Sequence, residues 1–455
     1  MRRLVQFLTD SPAVGGIPPR HPTMYVGYVA GQAPIGSGFE VVRKDQEFIL
    51  YRGERPDLAG SPSVLLLVPE SERPAPETLK KIEHEYSLRD ELDSAWAVRP
   101  LTLSQQRGQT TLVLEDPGGK TLDQVLAGPM EATRFLRLAV SLATALTGLH
   151  KKDLIHKDVK PANVLVNPTT DQVRLMGFGI ASRLPRERQA AAPPEFIAGT
   201  LSYMAPEQTG RMNRSIDSRS DLYALGVTLY EMLTGSLPFS ASDSMELVHC
   251  HIARQPAPPG ERLKNVPGPV SAIVMKLLAK TGEERYQTAA GAENDLRRCL
   301  AEWETQHRVE EFPLGEHDTP DRLLIPEKLY GRASEVDALL ASFDRVLAGG
   351  RTELVLVSGY SGIGKSSVVN ELHKSLVSAR GLFASGKFDQ YNRDIPYATL
   401  AQAFQSLIRA LLSKSEEELR KWRDALHEAL DPNGQLIVNL VPELRLIIGE
   451  QLPSP

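Results

Sequence analysis

The segment His156–Leu165 brings together three side chains that could take part in one reaction. Asp158 is a carboxylate, Lys160 an ammonium and Asn163 a carboxamide. Side chains of these types accept protons, neutralise phosphate charge and ligate Mg²⁺, so the segment indicates phosphoryl transfer. That chemistry also uses a carboxylate on the metal that bridges the phosphates. Gly177 stands where this carboxylate is expected, so the predicted metal site is incomplete.

Four motifs in order resemble the eukaryotic-type Ser/Thr protein kinases found in bacteria. They are the catalytic loop at His156–Asn163, the end of an activation segment at Gly199–Glu207, the helix pattern Asp221–Gly226, and Arg285. Several ordered matches carry much more weight than a single motif. The resemblance implies an α+β two-lobed protein kinase-like fold over residues 39–304.

The resemblance also implies roles for the catalytic residues. Asp158 would orient and deprotonate a Ser or Thr hydroxyl, and Lys160 would stabilise charge on the transferred phosphoryl group. Asn163 would ligate a metal. Thr200 would help to hold Asp158 and Lys160 in place.

Two further residues of the motifs are expected to support the loop rather than to react. In this family the Asp of the helix motif, here Asp221, braces the backbone of the catalytic loop. Arg285 is expected to pair with Glu207 at the end of the activation segment. Both pairs are expected inside the larger lobe.

The nucleotide-binding half departs from the family pattern. Residues 39–53 lack the G-x-G-x-x-G turn whose backbone amides approach phosphates. Leu67 stands where a Lys should pair with the α- and β-phosphates, and no Lys occurs between Asp45 and Thr78. Glu85, the helix glutamate expected to pair with that Lys, therefore lacks its partner.

Two interpretations of these losses remain open. The three changes together favour a pseudokinase, a kinase fold with impaired or absent catalysis. The alternative is an active ATP-dependent Ser/Thr kinase with Asp158 as base, in which Lys44 from a neighbouring strand replaces the missing Lys. Dependence of phosphate transfer on Mg²⁺ would separate the two.

The elements that position these groups follow from hydrophobic periodicity. Short alternating runs around one helix predict a small lobe over residues 39–115, and helical spacing predicts a large lobe over residues 120–304. The predicted strands are Phe39–Val42, Phe48–Tyr51, Val64–Val68 and Leu112–Leu114; the predicted helices are Ala75–Leu92, Phe135–Leu149, Ser220–Leu233, Ser244–Ala253, Val270–Ala279 and Ala289–Trp303. Residues 1–38 are predicted to be a flexible leader, and residues 305–328 a linker.

A second phosphate-binding motif lies at Gly359–Ser366. It has the form G-x-x-x-x-G-K-S and lies between a predicted apolar strand, Leu354–Ser358, and a helical stretch, Ser367–Ser375. In this context the loop amides cradle phosphates, the Lys reaches the β- and γ-phosphates, and the Ser ligates Mg²⁺. The predicted ligands of ATP and Mg²⁺ are Gly359, Gly362, Gly364, Lys365 and Ser366.

This motif and Leu329–Arg332 resemble AAA-like P-loop ATPases, which implies a partial α/β P-loop NTPase domain over residues 329–455. After Lys365 we find no apolar strand ending in Asp, so we expect this domain to be incomplete. A kinase domain joined to such a module resembles the N-terminal part of large hybrid sensor kinases. The chain is alternatively a fragment of a longer protein.

Composition excludes several classes of protein. The chain has 455 residues, 41% of them hydrophobic and 24% charged, and a net charge of -5, which gives no reason to expect nucleic acid as a partner. Cys250 and Cys299 are the only cysteines, which excludes a disulfide scaffold. We predict a cytoplasmic signalling protein with protein partners and no membrane span. Its expected cofactors are ATP and Mg²⁺, bound at the P-loop rather than in the kinase cleft.

Overall fold

The computed structural model describes two folded parts of the chain. The predicted leader lies outside the described residues except for Gly38, and so does Gly362 of the P-loop. The described residues are 38–54, 63–106, 109–183, 199–210, 212, 214–241, 244–320, 331–349, 351–360, 363–372, 384, 386, 397–412 and 416–451.

The small lobe is a five-stranded antiparallel sheet with one helix. Its strand order is β1-β2-β3-β5-β4. The elements are β1 (Glu40–Lys44), β2 (Phe48–Glu54), β3 (Ser63–Pro69), α1 (Pro76–Ser87), β4 (Pro100–Gln106) and β5 (Gln109–Glu115). Strand β3 is buried on both faces because its side chains alternate between two apolar clusters. Leu67 belongs to the cluster that also contains Ile82 of α1.

Strand β1 carries an irregularity that matters for the site. Its pairing with β2 shifts between Val41, which faces Tyr51, and Arg43, which faces Leu50. This shift leaves Val42 as an extra residue, as in a β-bulge, and a bulge re-aims the side chains beside it. Val42 and the Arg43 side chain are both largely buried, 6% and 11% exposed, although they are adjacent on one strand.

The large lobe is mainly helical and carries a short three-stranded sheet, β6-β7-β8. One large apolar cluster fills it, with Phe135, Leu222 and Leu277 among its buried members. The elements are β6 (Lys120–Thr121), α2 (Leu122–Val125), α3 (Ala132–His150), β7 (Val164–Val166), β8 (Val173–Leu175), α4 (Ser218–Thr234), α5 (Ser244–Ala253), α6 (Pro259–Arg262), α7 (Gly268–Leu277) and α8 (Ala289–Gln306). The prediction of a two-lobed kinase-like fold is confirmed.

The first part of the predicted linker packs on the large lobe. Val309 is buried in its core, and Phe312 and Leu314 pack against the same cluster. The Asp318 carboxylate accepts hydrogen bonds from the backbone N–H groups of Gln287 and Thr288, at 2.5 and 2.9 Å. The sequence pattern did not predict this packing because these apolar residues have no regular spacing.

The regular secondary structure of the described residues after 331 is helical. The α-helices are α9 (Ala333–Gly349), α10 (Lys365–Asn370), α11 (Ala398–Leu412), α12 (Glu416–Leu430), α13 (Gly434–Leu440) and α14 (Arg445–Ile448). A separate apolar cluster that includes Ile408, Val438 and Leu444 joins the last four of them.

The predicted strand Leu354–Ser358 is wrong for the structure as described. Residues 351–360 have no regular secondary structure, and Leu354 and Leu356 are 86% and 84% exposed. A strand of a parallel sheet is stabilised only by neighbouring strands and by layers on its faces. The described residues after 331 supply no such strand, so this apolar run stays open to solvent.

Within the described ranges, none of the helices combines the length and apolar character that crossing a membrane requires.

Candidate functional site

Asp221, near the start of α4, binds the backbone of the catalytic loop. Its carboxylate accepts hydrogen bonds from the backbone N–H groups of His156 and Lys157, both at 2.8 Å, and lies 2.9 Å from Nε2 of His150. Burial opposes its charge, but the bonds with His150 and His156 hold the pKa of Asp221 below its ordinary value. An ionised Asp221 therefore fixes the loop backbone, in the role that the motif implied.

A second buried pair fixes the end of the activation segment. The Arg285 guanidinium donates to both oxygens of Glu207, at 2.7 and 2.9 Å, and Ser220 Oγ donates to the same carboxylate. Burial opposes ionisation, but Arg285 and Ser220 hold the pKa of Glu207 below its ordinary value. Such bidentate contacts are strong and directional, so this pair sets the geometry of the segment.

The four predicted catalytic residues form one connected cluster. Asp158 Oδ1 accepts from the Thr200 backbone N–H at 3.0 Å, and Asp158 Oδ2 lies 2.8 Å from Lys160 Nζ. Lys160 Nζ also donates to Thr200 Oγ1 at 2.5 Å. Asn163 Nδ2 donates to the Asp158 carboxylate at 2.9 Å. Asp158 and the side chains around it are thus brought together as the family motif implies.

An arginine from the small lobe contacts the oxygen of Asn163 that would ligate a metal. Nη1 of Arg43, a residue of β1, donates to Asn163 Oδ1 at 2.6 Å and to the Ala162 carbonyl at 2.9 Å. On its other side the guanidinium lies 3.4 Å from Asp45. The sequence interpretation missed Arg43 because the bulge at Val42 is not visible in the hydrophobic pattern.

The rival candidate, Lys44, does not enter the cleft. Its ammonium lies 3.3 Å from Glu70, and its side chain is 58% exposed. The bulge aims Arg43 inward and leaves Lys44 at the surface. Lys44 therefore cannot replace the missing phosphate-binding Lys in this arrangement.

The turn that should approach phosphates is a tight hairpin. Asp45 Oδ1 accepts from the backbone N–H groups of Glu47 and Phe48, at 2.9 and 2.7 Å, and closes the connection between β1 and β2. Asp and Asn commonly close short turns in this way. The hairpin has no glycine-rich segment, so it offers no free row of backbone amides to a phosphate.

Apolar side chains from both lobes meet where the nucleotide would lie. Leu65 and Leu67 of β3, Leu50 of β2, and Leu165 and Met176 of the large lobe belong to one buried cluster. Leu50 and Leu65 are 0% exposed and Leu165 is 1% exposed. The position of the expected phosphate-binding cation is therefore part of a hydrophobic core.

Glu85 of α1 is buried without a lysine. Burial raises its pKa from 4.5 to about 7, against the opposing effects of the Phe178 backbone N–H and the charge of Arg43. Within the described part of the chain, its Oε1 atom is buried and accepts no hydrogen bond. A buried carboxyl favours its neutral form when the opposing charges and hydrogen bonds do not offset its desolvation.

Gly177 is closely packed against the same cleft. It has φ of +81°, and a Cβ atom built there would lie 2.9 Å from Asn163 Oδ1. The residue after it, Phe178, is fully buried, and its ring lies 4.8 Å from the ring of His156. An aspartate at 177 would require Asn163 to move.

The residues present do not match the groups that hold Mg²⁺ and ATP in a kinase cleft. Gly177 provides no carboxylate, Asn163 Oδ1 already accepts from a guanidinium, and Leu67 provides no cation for the phosphates. No cluster of three acidic, His or Cys ligands occurs in the described residues either.

The P-loop is described only in part, because Ser361 and Gly362 lie outside the described residues. Lys365 Nζ donates to the carbonyl groups of Gly359 and Tyr360, at 2.9 and 2.8 Å. Gly364 precedes α10 with φ of +94°, a conformation that favours glycine. Ser366 is exposed beside Lys365.

Two protein-family descriptions match the chain in the order that the motifs predicted. The description "protein kinase domain" matches residues 67–295, and "AAA ATPase domain" matches residues 328–451. The first match covers half of the chain, so the chain belongs to the protein kinase domain family, followed here by an AAA-type ATPase domain. The kinase match begins at Leu67, so the hairpin of β1 and β2 lies outside it.

Individual relatives agree with this assignment. Hybrid signal transduction histidine kinase G of Dictyostelium discoideum is 30% identical over 72% of this chain and 12% of its own length. Serine/threonine-protein kinase PknB of Mycobacterium tuberculosis is 37% identical over 41% of this chain and 30% of its own length. A probable serine/threonine-protein kinase of Corynebacterium efficiens is 32% identical over 48% of this chain and 33% of its own length. This chain therefore spans about a third or less of each of these relatives.

The predicted resemblance to Ser/Thr kinases and to hybrid histidine kinases is confirmed. Kinases and AAA ATPases in general use ATP with Mg²⁺.

Proposed function

We propose that the kinase-like domain is a pseudokinase that acts as a binding scaffold for signalling proteins, and that nucleotide binds at the P-loop. The observation that carries this proposal is the identity of the residues at the two positions that should provide a cation for the phosphates and a carboxylate for the metal. Leu67 is buried in an apolar cluster, and Gly177 has no side chain. Neither position can neutralise phosphate charge.

Electrostatics supports the loss of catalysis. The metal in a kinase site neutralises charge that develops between the phosphates, and its removal costs several kcal/mol of barrier stabilisation. With Gly177 in place of a carboxylate, Asn163 is the remaining metal ligand of the motif. The Arg43 guanidinium on its oxygen would repel Mg²⁺ at short range.

Packing supports the same proposal. For a nucleotide to enter, Leu50 and Leu65 of the small lobe would have to separate from Leu165 of the large lobe. Burial of a leucine side chain stabilises a protein by about 1.5–3 kcal/mol. Opening this cluster without refilling it would therefore cost several kcal/mol.

For the P-loop, the contacts of Lys365 support nucleotide binding. Its ammonium lies against the carbonyl groups of Gly359 and Tyr360, in the loop where the motif positions phosphates. Phosphate oxygens would compete for the same ammonium as charged acceptors, which form stronger hydrogen bonds than carbonyl groups. Ser366 would ligate Mg²⁺ beside them.

The test is transfer of labelled γ-phosphate to the chain itself and to a basic substrate protein. The chain carries Lys365→Ala to silence the P-loop, and is assayed with and without Asp158→Ala. We expect no incorporation above that of the Asp158→Ala control. Circular dichroism of the same samples establishes that they are folded.

The active-kinase alternative predicts the opposite result. Asp158, Lys160 and Thr200 are assembled, which favours it over other enzyme classes. Mg²⁺-dependent incorporation that disappears with Asp158→Ala would establish it and remove the pseudokinase proposal.

A further inference from the structure

Strand β1 of the small lobe contacts the catalytic loop and α2 of the large lobe directly. A nucleotide bound in the kinase cleft would lie between β1 and these large-lobe elements. Two consecutive residues of β1 make this contact, one through a backbone atom and one through a side chain. The Val42 carbonyl accepts a hydrogen bond from Gln124 Nε2 of α2 at 2.6 Å. Arg43 donates to Ala162 and Asn163 at 2.9 and 2.6 Å.

The bulge explains why both contacts form. An extra residue in a strand is left out of the ladder, so its backbone groups are open to other partners. The Val42 carbonyl finds that partner in the large lobe, and the next side chain, Arg43, turns into the cleft. The same shift leaves Lys44 at the surface, paired with Glu70.

The chemistry of these contacts suits a ligand. Arg43 offers a fixed planar cation, and Asn163 Oδ1 is the oxygen that the kinase motif assigns to a metal. A cation of the protein thus lies where a bound cation is expected. The other terminal nitrogen of the guanidinium lies 3.4 Å from the Asp45 carboxylate, so the guanidinium is held on two sides.

We propose that β1 is an internal ligand of the cleft: Arg43 replaces the metal on Asn163, and with Gln124 it latches the two lobes together without nucleotide. This inference rests on the proposed pseudokinase function, in which the cleft takes no Mg·ATP. It adds that Arg43, and not the lost motif residues alone, excludes the nucleotide.

The first test is hydrogen exchange of the full chain, with peptides that cover β1 and residues 161–166. Arg43→Met removes the charged donor and keeps an unbranched side chain of similar length. We expect exchange in both peptides to become at least tenfold faster. Lys44→Met, one residue along, is the matched control and should change exchange by less than twofold.

Peptides of α4 report whether the fold survives in each variant. Unchanged exchange of β1 and residues 161–166 in a folded Arg43→Met chain would overturn the latch. Equal acceleration by Lys44→Met would also overturn it, because the effect would then belong to the hairpin as a whole.

The second test is recovery of nucleotide binding in a Lys365→Ala background. Leu67→Lys and Gly177→Asp restore the phosphate cation and the metal carboxylate of the motif. We expect calorimetry to detect Mg·ATP binding only when Arg43→Gly is added to this pair, and at least tenfold weaker binding or none when Arg43 is present. Equal binding with and without Arg43, or no binding in the triple variant, would overturn the exclusion role.

These outcomes are separable from failure of the proposed function. Mg·ATP binding in the cleft of the Lys365→Ala chain, with all cleft residues native, would remove the pseudokinase proposal. The exchange experiment would still decide whether Arg43 joins the lobes.

Discussion

The large-lobe side and the small-lobe side of the cleft differ in how far they keep the kinase arrangement. In the large lobe, Asp221 holds the catalytic loop and Arg285 holds Glu207, as the motifs imply. In the small lobe, Leu67 is part of a core, and Arg43 reaches a residue that should face a metal. The retained contacts stabilise the backbone whether or not a nucleotide is present. The motif side chains that Leu67 and Gly177 replace would act on phosphate and metal, so their loss leaves these retained contacts in place.

Loss of the buried Glu207–Arg285 pair in the large lobe should reduce the free energy of unfolding most. Arg285→Ala leaves the buried Glu207 carboxylate without its cation, and loss of one partner of a buried pair costs about 3–5 kcal/mol. We expect this loss in the free energy of unfolding by urea. Tryptophan fluorescence in a Trp422→Phe background reports it, because the remaining tryptophans, Trp96 and Trp303, pack in the large lobe.

The double variant Glu207→Gln/Arg285→Met is the control for that prediction. It removes both charges and should lose clearly less stability than Arg285→Ala. A loss equal to that of the single variant would mean that shape, rather than charge pairing, holds the activation segment.

Burial of Glu85 in the small lobe should make the free energy of unfolding depend on pH. Because the pKa of Glu85 is about 7 in the folded chain and 4.5 without burial, the folded state holds a proton that the unfolded state releases. Its effect on stability therefore becomes more unfavourable as the pH rises from about 4.5 to 7. Glu85→Gln should increase the free energy of unfolding by about 1–3 kcal/mol at pH 8 and by much less at pH 5. Equal changes at both pH values would contradict a neutral, buried Glu85.

A smaller effect compares two glycines with similar backbone angles. Gly177 and Gly118 have φ of +81° and +74°, but only a Cβ at Gly177 meets other atoms, those of Asn163. Alanine in this backbone region costs about 1–2 kcal/mol. Gly118→Ala should cost that amount, and Gly177→Ala should cost more because Asn163 must move. Equal losses in thermal unfolding would indicate that the packing between Gly177 and Asn163 is loose.

Removal of the Lys44 side chain should have the smallest effect on stability. Lys44→Met removes an exposed ion pair with Glu70, and such pairs contribute about 0–1 kcal/mol. The free energy of unfolding should change by less than about 0.5 kcal/mol. A larger loss would mean that Lys44 interacts with the cleft after all.

Residue spacing predicted the large-lobe side well and the small-lobe side only in part. The cluster around Asp158 and the contacts of Asp221 and Arg285 follow from motifs whose order along the chain indicates which segments lie close together in the fold. The losses at Leu67 and Gly177 were visible for the same reason. Arg43 was not, because a bulge changes which side chain points inward without changing the apolar pattern.

The region beyond residue 331 was predicted least well. The run Leu354–Ser358 has the composition of a buried strand, yet it is exposed, because strand formation depends on distant partners rather than on local sequence. The helix after the P-loop was predicted close to its position, and it starts at Lys365 instead of Ser367. The roles of Gly359, Gly364, Lys365 and Ser366 in nucleotide binding remain predictions.

Calorimetric titration with ATP, with and without Mg²⁺, distinguishes nucleotide binding at the P-loop from binding in the kinase cleft. We expect Mg²⁺-dependent binding to the native chain at one site, and its loss in Lys365→Ala. Binding that survives Lys365→Ala, requires Mg²⁺ and disappears with Asn163→Ala would place the nucleotide in the kinase cleft and overturn the proposed function.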